Sequence, residues 1–139
     1  MTDASSSLAQ LATAPQVVRF QARFPAIAMG VAAIRGEMTA VAYGCGFSPR
    51  RVADVQLAVS EAATNAVIHA FPGEEEGPIE VTARLHDQWL QITIADFGAG
   101  TERPTARRLG LEVIKRLCDD FELVGDRHGT AVHMYFARA

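Results

Sequence analysis

The chain reads as an α+β two-layer sandwich, a mixed and mainly antiparallel sheet with its helices on one face. Three observations predict this. Two pairs of short alternating segments, within 79–94 and 121–137, are joined by brief turns, as hairpins are. Two stretches with helical spacing lie between the first strand and the first hairpin. A doubly wound parallel sheet would need more strand–helix–strand crossovers than the pattern offers.

The chain of 139 residues fits one domain, divided into a flexible tail over 1–15 and a single domain over 16–139. With 49% hydrophobic and 21% charged residues it has the balance of a soluble globular protein. A net charge of -3 without basic runs argues against direct nucleic-acid binding. No apolar run reaches the roughly 18 residues that a membrane span needs. The start, MTDASSSLAQ, lacks the basic and apolar regions of a secretory signal. Cys45 and Cys118 lie too far apart in sequence for a CxxC pair or a zinc pattern, so reduced thiols in a cytoplasmic protein are expected.

The elements follow in order. Val18, Phe20, Ala22 and Phe24 alternate with Arg19, Gln21 and Arg23, a half-buried strand stopped by Pro25. Pro25 suits the first turn of a helix. There Ile27, Val31, Ile34, Met38 and Val41 draw one helical stripe, read as a core helix that ends at Gly44-Cys45-Gly46. Ser48-Pro49 opens the next helix with a cap residue and a proline at the first helical position. Val52, Val55, Val59, Ala62 and Ala63 carry its apolar face toward Phe71, and Pro72-Gly73 breaks it.

Ile79, Val81, Ala83 and Leu85 then form one strand, and Leu90, Ile92 and Ile94 the next, around a turn near Asp87-Gln88. The second strand runs straight into Asp96. Residues 97–106 read as loop. A helix from about Arg107 or Leu109 to Cys118 turns Leu109, Val113, Ile114, Leu117 and Cys118 inward. Two closing strands put Phe121, Leu123, Val132, Met134 and Phe136 inside.

Two stretches carry chemistry. SEAATNAVIHAF, 60–71, sets Glu61, Asn65 and His69 at four-residue steps, so a helix turns them onto one face. A carboxylate there can act as a general base, and an uncharged amide oxygen is a hard ligand suited to Mg²⁺. A solvent-facing Glu61 and an Asn65 that caps something nearby are the alternative, against which polar groups on a mostly buried, alanine-rich helix need partners. The second stretch is Asp96-Phe97-Gly98-Ala99-Gly100, a D-x-G-x-G at the end of an apolar strand. Its carboxylate can accept from an exocyclic amine, and its glycines admit close backbone approach. Asp and Gly also make plain turns, so this stretch alone leaves both readings open. Gly110, inside a helix start, costs on the order of 1 kcal/mol relative to Ala. A backbone approaching phosphates would explain it. Thr130 enters the last strand, either as part of a turn or presenting its hydroxyl to a ligand. The four histidines, His69, His86, His128 and His133, show no zinc spacing, and no P-loop, GxSxG elbow or Rossmann fingerprint occurs.

Taken together and in this order, these residues resemble the bacterial anti-sigma-factor serine/threonine kinases of the RsbW and SpoIIAB type, within the GHKL (Bergerat-fold) ATPases. AVSEAATNAVIHA resembles their N-box and IADFGAG their first glycine box. RLGLEVIKRLCDDFEL resembles the second glycine segment with its helix, and HGTAVHMYF the closing segment. The resemblance covers about Val18 to Phe136. It implies ATP and Mg²⁺ as cofactors, Glu61 as catalytic base and Asn65 as Mg²⁺ ligand. It puts Asp96 on the adenine amine with Thr130 near it, Gly98, Gly100 and Gly110 along the nucleotide, and His69 beside the site. It further implies a sigma factor as partner, a STAS-domain antagonist as substrate, and a homodimer. The sequence departs from the family between Gly100 and Gly110, where the lid is short and Ala106-Arg107-Arg108 stands in it. Arg107 or Arg108 then pairs with phosphates in its place. Two functions follow: a kinase, or a nucleotide-binding anti-sigma module without useful turnover. A detached histidine-phosphorylating domain ranks last, because no dimerisation helix with an acceptor histidine appears.

Overall fold

The computed structural model describes residues 15–69, 77–97, 108–126 and 129–138. The elements are β1 (Val17–Pro25), α1 (Ala28–Gly44), α2 (Pro49–His69), β2 (Pro78–His86), β3 (Trp89–Asp96), α3 (Arg108–Leu117), β4 (Asp120–Asp126) and β5 (Gly129–Ala137). Their order is the one the pattern predicts. The five strands form one sheet, β1-β2-β3-β5-β4, and every described neighbour pair is antiparallel. The expected tail falls outside the described residues apart from Pro15.

Alternation sorts the sheet into two faces. In register, Val81, Ile94, Val132 and Leu123 lie across the sheet from one another, as do Ala83, Ile92, Met134 and Phe121. These residues face the helices, and the central ones are buried. α1 adds Ile34, Met38 and Ala42 to that core. α2 adds Val52, Val55, Ala58, Val59, Ala62, Ala63 and Ala66, and α3 adds Ile114. The alanines bring α2 close to its neighbours, so the functional helix lies between α1 and α3 and over β3. Gly30, buried in the first turn of α1, has no room for a side chain: a Cβ there would overlap the Pro25 carbonyl oxygen.

Three expectations are corrected. Pro25 is not in the first turn of a helix; it closes β1 opposite Pro78, and α1 begins three residues later. Val18 is exposed rather than inward. The register shifts between Val18 and Phe20, so Val18 pairs with Arg84 on the polar face, while Phe20 pairs with Ala83. A one-residue bulge reverses the side on which a residue emerges. Val113 is exposed, because the inward line of α3 runs through Ile114, with Leu111 and Leu117 partly covered. α2 is described to His69; its expected continuation to Phe71 lies outside the described residues.

The helix-free face is polar and internally hydrogen-bonded. His86 Nε2 lies 2.7 Å from Gln91 Oε1. Gln91 Nε2 lies 3.5 Å from His133 Nδ1, and Thr93 Oγ1 lies 2.9 Å from the same nitrogen. With His86 Nε2–H donating to the Gln91 oxygen, the Thr93 hydroxyl can donate to the one lone pair of a neutral His133 Nδ1, and the Gln91 amide lies at the edge of reach of the same nitrogen. Burial pushes the His133 pKa below its usual 6.5, Arg84 adds to the lowering, and Glu122 across the strand opposes it. A His with a lowered folded pKa contributes stability that is intact above the unfolded value and lost as pH falls below it. The melting temperature is therefore expected to drop on acidification from about pH 6.5 to 5.5. In His133→Gln that drop should shrink, read by thermal denaturation across a pH series. An unchanged drop would remove His133 as its source.

Candidate functional site

Strand register brings two of the sequence candidates together. Asp96, the last residue of β3, is the direct cross-strand partner of Thr130 near the start of β5. Directly opposed residues place their Cβ atoms about 5 Å apart. Both alternate in phase with Ile94 and Val132, so both point into the helix layer. Asp96 is 4% exposed and Thr130 is 3% exposed. Gly129 fixes the juncture. Its φ of +148° suits glycine, and a Cβ there would overlap the Asp96 carbonyl oxygen. The start of β5 thus lies hard against the end of β3.

The Thr130 hydroxyl oxygen is buried and has no hydrogen-bond partner among the described residues. Such burial costs about 1–3 kcal/mol. A carboxylate and an uncompensated hydroxyl side by side, at a strand end under a helix layer, fit a polar heterocycle with both donor and acceptor edges.

Glu61 and Asn65 stand one turn apart on α2, both half-buried, with Ala62 and Ala66 buried beside them. Ser48 caps this helix, its Oγ accepting from the Arg51 amide at 3.2 Å. Connectivity orients α2. Its start is bound to the far end of β5 through Arg51, whose guanidinium donates to the Leu117 carbonyl at 2.8 Å and pairs with Asp119. Asp119 Oδ2 in turn accepts from the Ala137 amide at 2.7 Å. Its far end leads within eight residues to Pro78, and Ile79 pairs with Asp96. The half of α2 carrying Glu61 and Asn65 therefore belongs to the Asp96 end of the sheet, and α2 packs on β3.

The remaining candidates are described less fully. Gly98, Gly100 and Arg107 lie outside the described residues. Arg108 and Gly110 occupy the first turn of α3, and His69 is the last residue of α2.

A hollow of about 250 Å³ at this end is lined by Ala95, Asp96, Phe97, Val124, Gly129, Thr130 and Ala131. Ala95, Ala131 and Val124 face away from the helices, so this hollow is not the space into which the Asp96 and Thr130 side chains point. On its rim, Phe97 is half exposed and holds the Arg23 guanidinium 5.4 Å from its ring centre. Arg23 Nε also pairs with Glu80 at 3.2 Å. Sequence reasoning gave Phe97 and Arg23 no such role. Nor did it single out Ser60, whose buried hydroxyl oxygen also has no partner among the described residues. These signals are long-range contacts, which a sequence pattern does not carry.

Residues 24–136 match the family described as histidine kinase-like ATPase domain. The chain belongs to that family. Within it, the serine-protein kinase RsbW of Listeria innocua is 33% identical over 118 residues, covering 72% of this chain and 74% of its own. The serine-protein kinase RsbW of Bacillus thuringiensis is 31% identical over 132 residues, covering 82% of each. Among solved structures, one of the RsbU and RsbW domains of a Mycobacterium tuberculosis protein superposes with a TM-score of 0.70 at 19% identity. It covers 88% of this chain and 32% of the longer one. The histidine kinase domain of a blue-light activated kinase from Erythrobacter litoralis gives 0.58 at 20% identity, covering 78% of this chain and 61% of its own. These structural likenesses show the histidine kinase-like ATPase fold; the sequence matches show a chain of the RsbW kinase type.

Proposed function

We propose that this chain is an ATP-dependent serine/threonine protein kinase and anti-sigma factor. In this reading it phosphorylates a small STAS-domain antagonist, binds a sigma factor, and works as a cytoplasmic homodimer. The observation that supports it most directly is the Asp96–Thr130 pair, buried in register with one hydroxyl uncompensated, at the end of the sheet that α2 reaches with Glu61 and Asn65. The kinase names of the relatives agree with it.

Each side chain has one task. The Asp96 carboxylate accepts a hydrogen bond from the exocyclic amine of adenine, and the Thr130 hydroxyl meets a ring nitrogen or a bridging water. The amide oxygen of Asn65 would hold Mg²⁺, which when bound neutralises developing charge on phosphate oxygens. Glu61 accepts the proton of the attacking serine or threonine hydroxyl. The backbone at Gly98, Gly100 and Gly110 lines the nucleotide, and Arg107 or Arg108 pairs with phosphate oxygens.

Calorimetry with ATP and GTP, with and without Mg²⁺, tests this. Wild type is expected to bind ATP in preference to GTP and more tightly with Mg²⁺. Asn65→Ala should weaken ATP binding about tenfold or more with Mg²⁺ and little without it. Absence of binding at millimolar ATP would overturn the kinase reading. Tight ATP binding with a sigma-factor complex but no phosphorylated antagonist would leave a nucleotide-sensing anti-sigma module instead.

A further inference from the structure

We propose a second ligand site at the end of the molecule opposite Asp96, in the cleft between the start of α2 and the end of β5, taking an oxyanion of the phosphate class. The cleft has a volume of about 530 Å³ and is lined by Gly46, Ser48, Arg50, Arg51, Asp54 and Arg138. α2 is 21 residues long, so its two ends are separated by about 30 Å. The cleft is thus remote from Glu61, Asn65, Asp96 and Thr130, and the inference does not rest on their nucleotide reading.

The argument is one of charge balance. Arg51 is fully engaged: it pairs with Asp54 at 2.9 Å and with Asp119, and it donates to the Leu117 carbonyl. Its ring contact with Phe136, 5.4 Å from the centroid, holds it further. Asp54 is the carboxylate among the lining residues, and it is committed to Arg51. Arg50 and Arg138 have no carboxylate partner among the described residues. Arg138 moreover has its Nε buried without any hydrogen-bond partner among the described residues. A buried lysine can shed its proton to escape such a position, but a guanidinium stays charged at any physiological pH. Arg50, Arg51 and Arg138 against Asp54 and Asp119 leave the cluster net positive, and the two guanidiniums without a carboxylate partner call for an anion with several acceptor oxygens. Phosphate and phosphomonoesters meet that requirement, whereas chloride lacks the several oxygens that match a guanidinium fork. Ser48 adds a donor, since its oxygen already accepts from the Arg51 amide and its proton remains available.

The test is a titration of the full chain with inorganic phosphate and with phenyl phosphate, at about pH 8 where both are dianionic. Ionic strength is held constant with chloride, and backbone amide shifts are read by NMR. Saturable shifts clustered at Arg50, Arg51 and Arg138 are expected, absent with chloride alone. Arg50→Gln, an exposed position that leaves the fold intact, and Arg138→Gln should each weaken binding about tenfold. Asn65→Ala should leave it unchanged, which separates this site from the nucleotide site. Tighter binding of phenyl phosphate would make the natural ligand a phosphomonoester; tighter binding of inorganic phosphate would make it the free ion. Shifts that do not saturate, that chloride reproduces, or that persist undiminished in both arginine variants would overturn the proposal.

Discussion

Glu61→Gln is expected to lower phosphoryl transfer about 10²–10⁴-fold, the usual worth of a positioned general base, while ATP affinity changes by less than about twofold. The substitution keeps the shape and polarity of the side chain and removes its ability to accept a proton. Glu61 lies in the middle of α2, half-buried between the packed residues Ala58, Ala62 and Ala63, so an isostere leaves the helix and its packing in place. Asn65, one turn further on, keeps its position and its metal-dependent contribution to binding. The measurement is single-turnover transfer from labelled ATP to a STAS-domain antagonist, beside calorimetry on the same preparation. Transfer at the wild-type rate would remove Glu61 from the chemistry. Loss of both transfer and ATP binding would show instead that Glu61 holds the site together.

The sequence carried the architecture because hydrophobic period is a local property. The alternation of Ile79 to Leu85 and of Leu90 to Ile94, and the spacing of Ile34 and Met38, are set residue by residue, and the structure repeats them. What failed was also local in origin but decided at longer range. Nothing near Val18 announces the bulge that sends it to the polar face, because the slip is measured against Arg84 and Ala83 on another strand. Pro25 fits a helix start as well as a strand end, and only its pairing with Pro78 decides between them. At the site, the four-residue spacing of Glu61 and Asn65 was legible as one helix face. The meeting of Asp96 with Thr130 was suggested only by family resemblance, since 34 residues separate them and their adjacency is a matter of β3–β5 register. The charge balance around Arg50 and Arg138 was not legible at all. It depends on Asp54 and Asp119 both turning toward Arg51.

That register makes a prediction in which two effects have opposite signs. Thr130→Val is nearly isosteric and replaces the uncompensated buried hydroxyl by a methyl group. The unliganded protein should become more stable, by up to about 1–3 kcal/mol, because a buried polar atom without a partner is removed. ATP binding should weaken, because the hydroxyl is no longer there to meet the ligand. A purely structural threonine would give no loss of affinity, and a hydroxyl already satisfied in the free protein would give no gain in stability. Asp96→Asn completes the argument. Exchanging the carboxylate for an amide of the same size preserves the β3–β5 pairing but gives up a charge-assisted hydrogen bond, worth about 1.5–3 kcal/mol, or roughly 10- to 150-fold in ATP affinity. It also changes selectivity. The wild-type carboxylate meets the carbonyl oxygen of guanine as acceptor against acceptor, whereas the amide of Asn can donate to it. The ATP-to-GTP affinity ratio should therefore collapse toward one in Asp96→Asn while remaining high in Thr130→Val. Calorimetry with both nucleotides and thermal denaturation without them, on the same three proteins, read all of these quantities. An unaltered ratio in Asp96→Asn would place the base of the nucleotide elsewhere than at the end of β3.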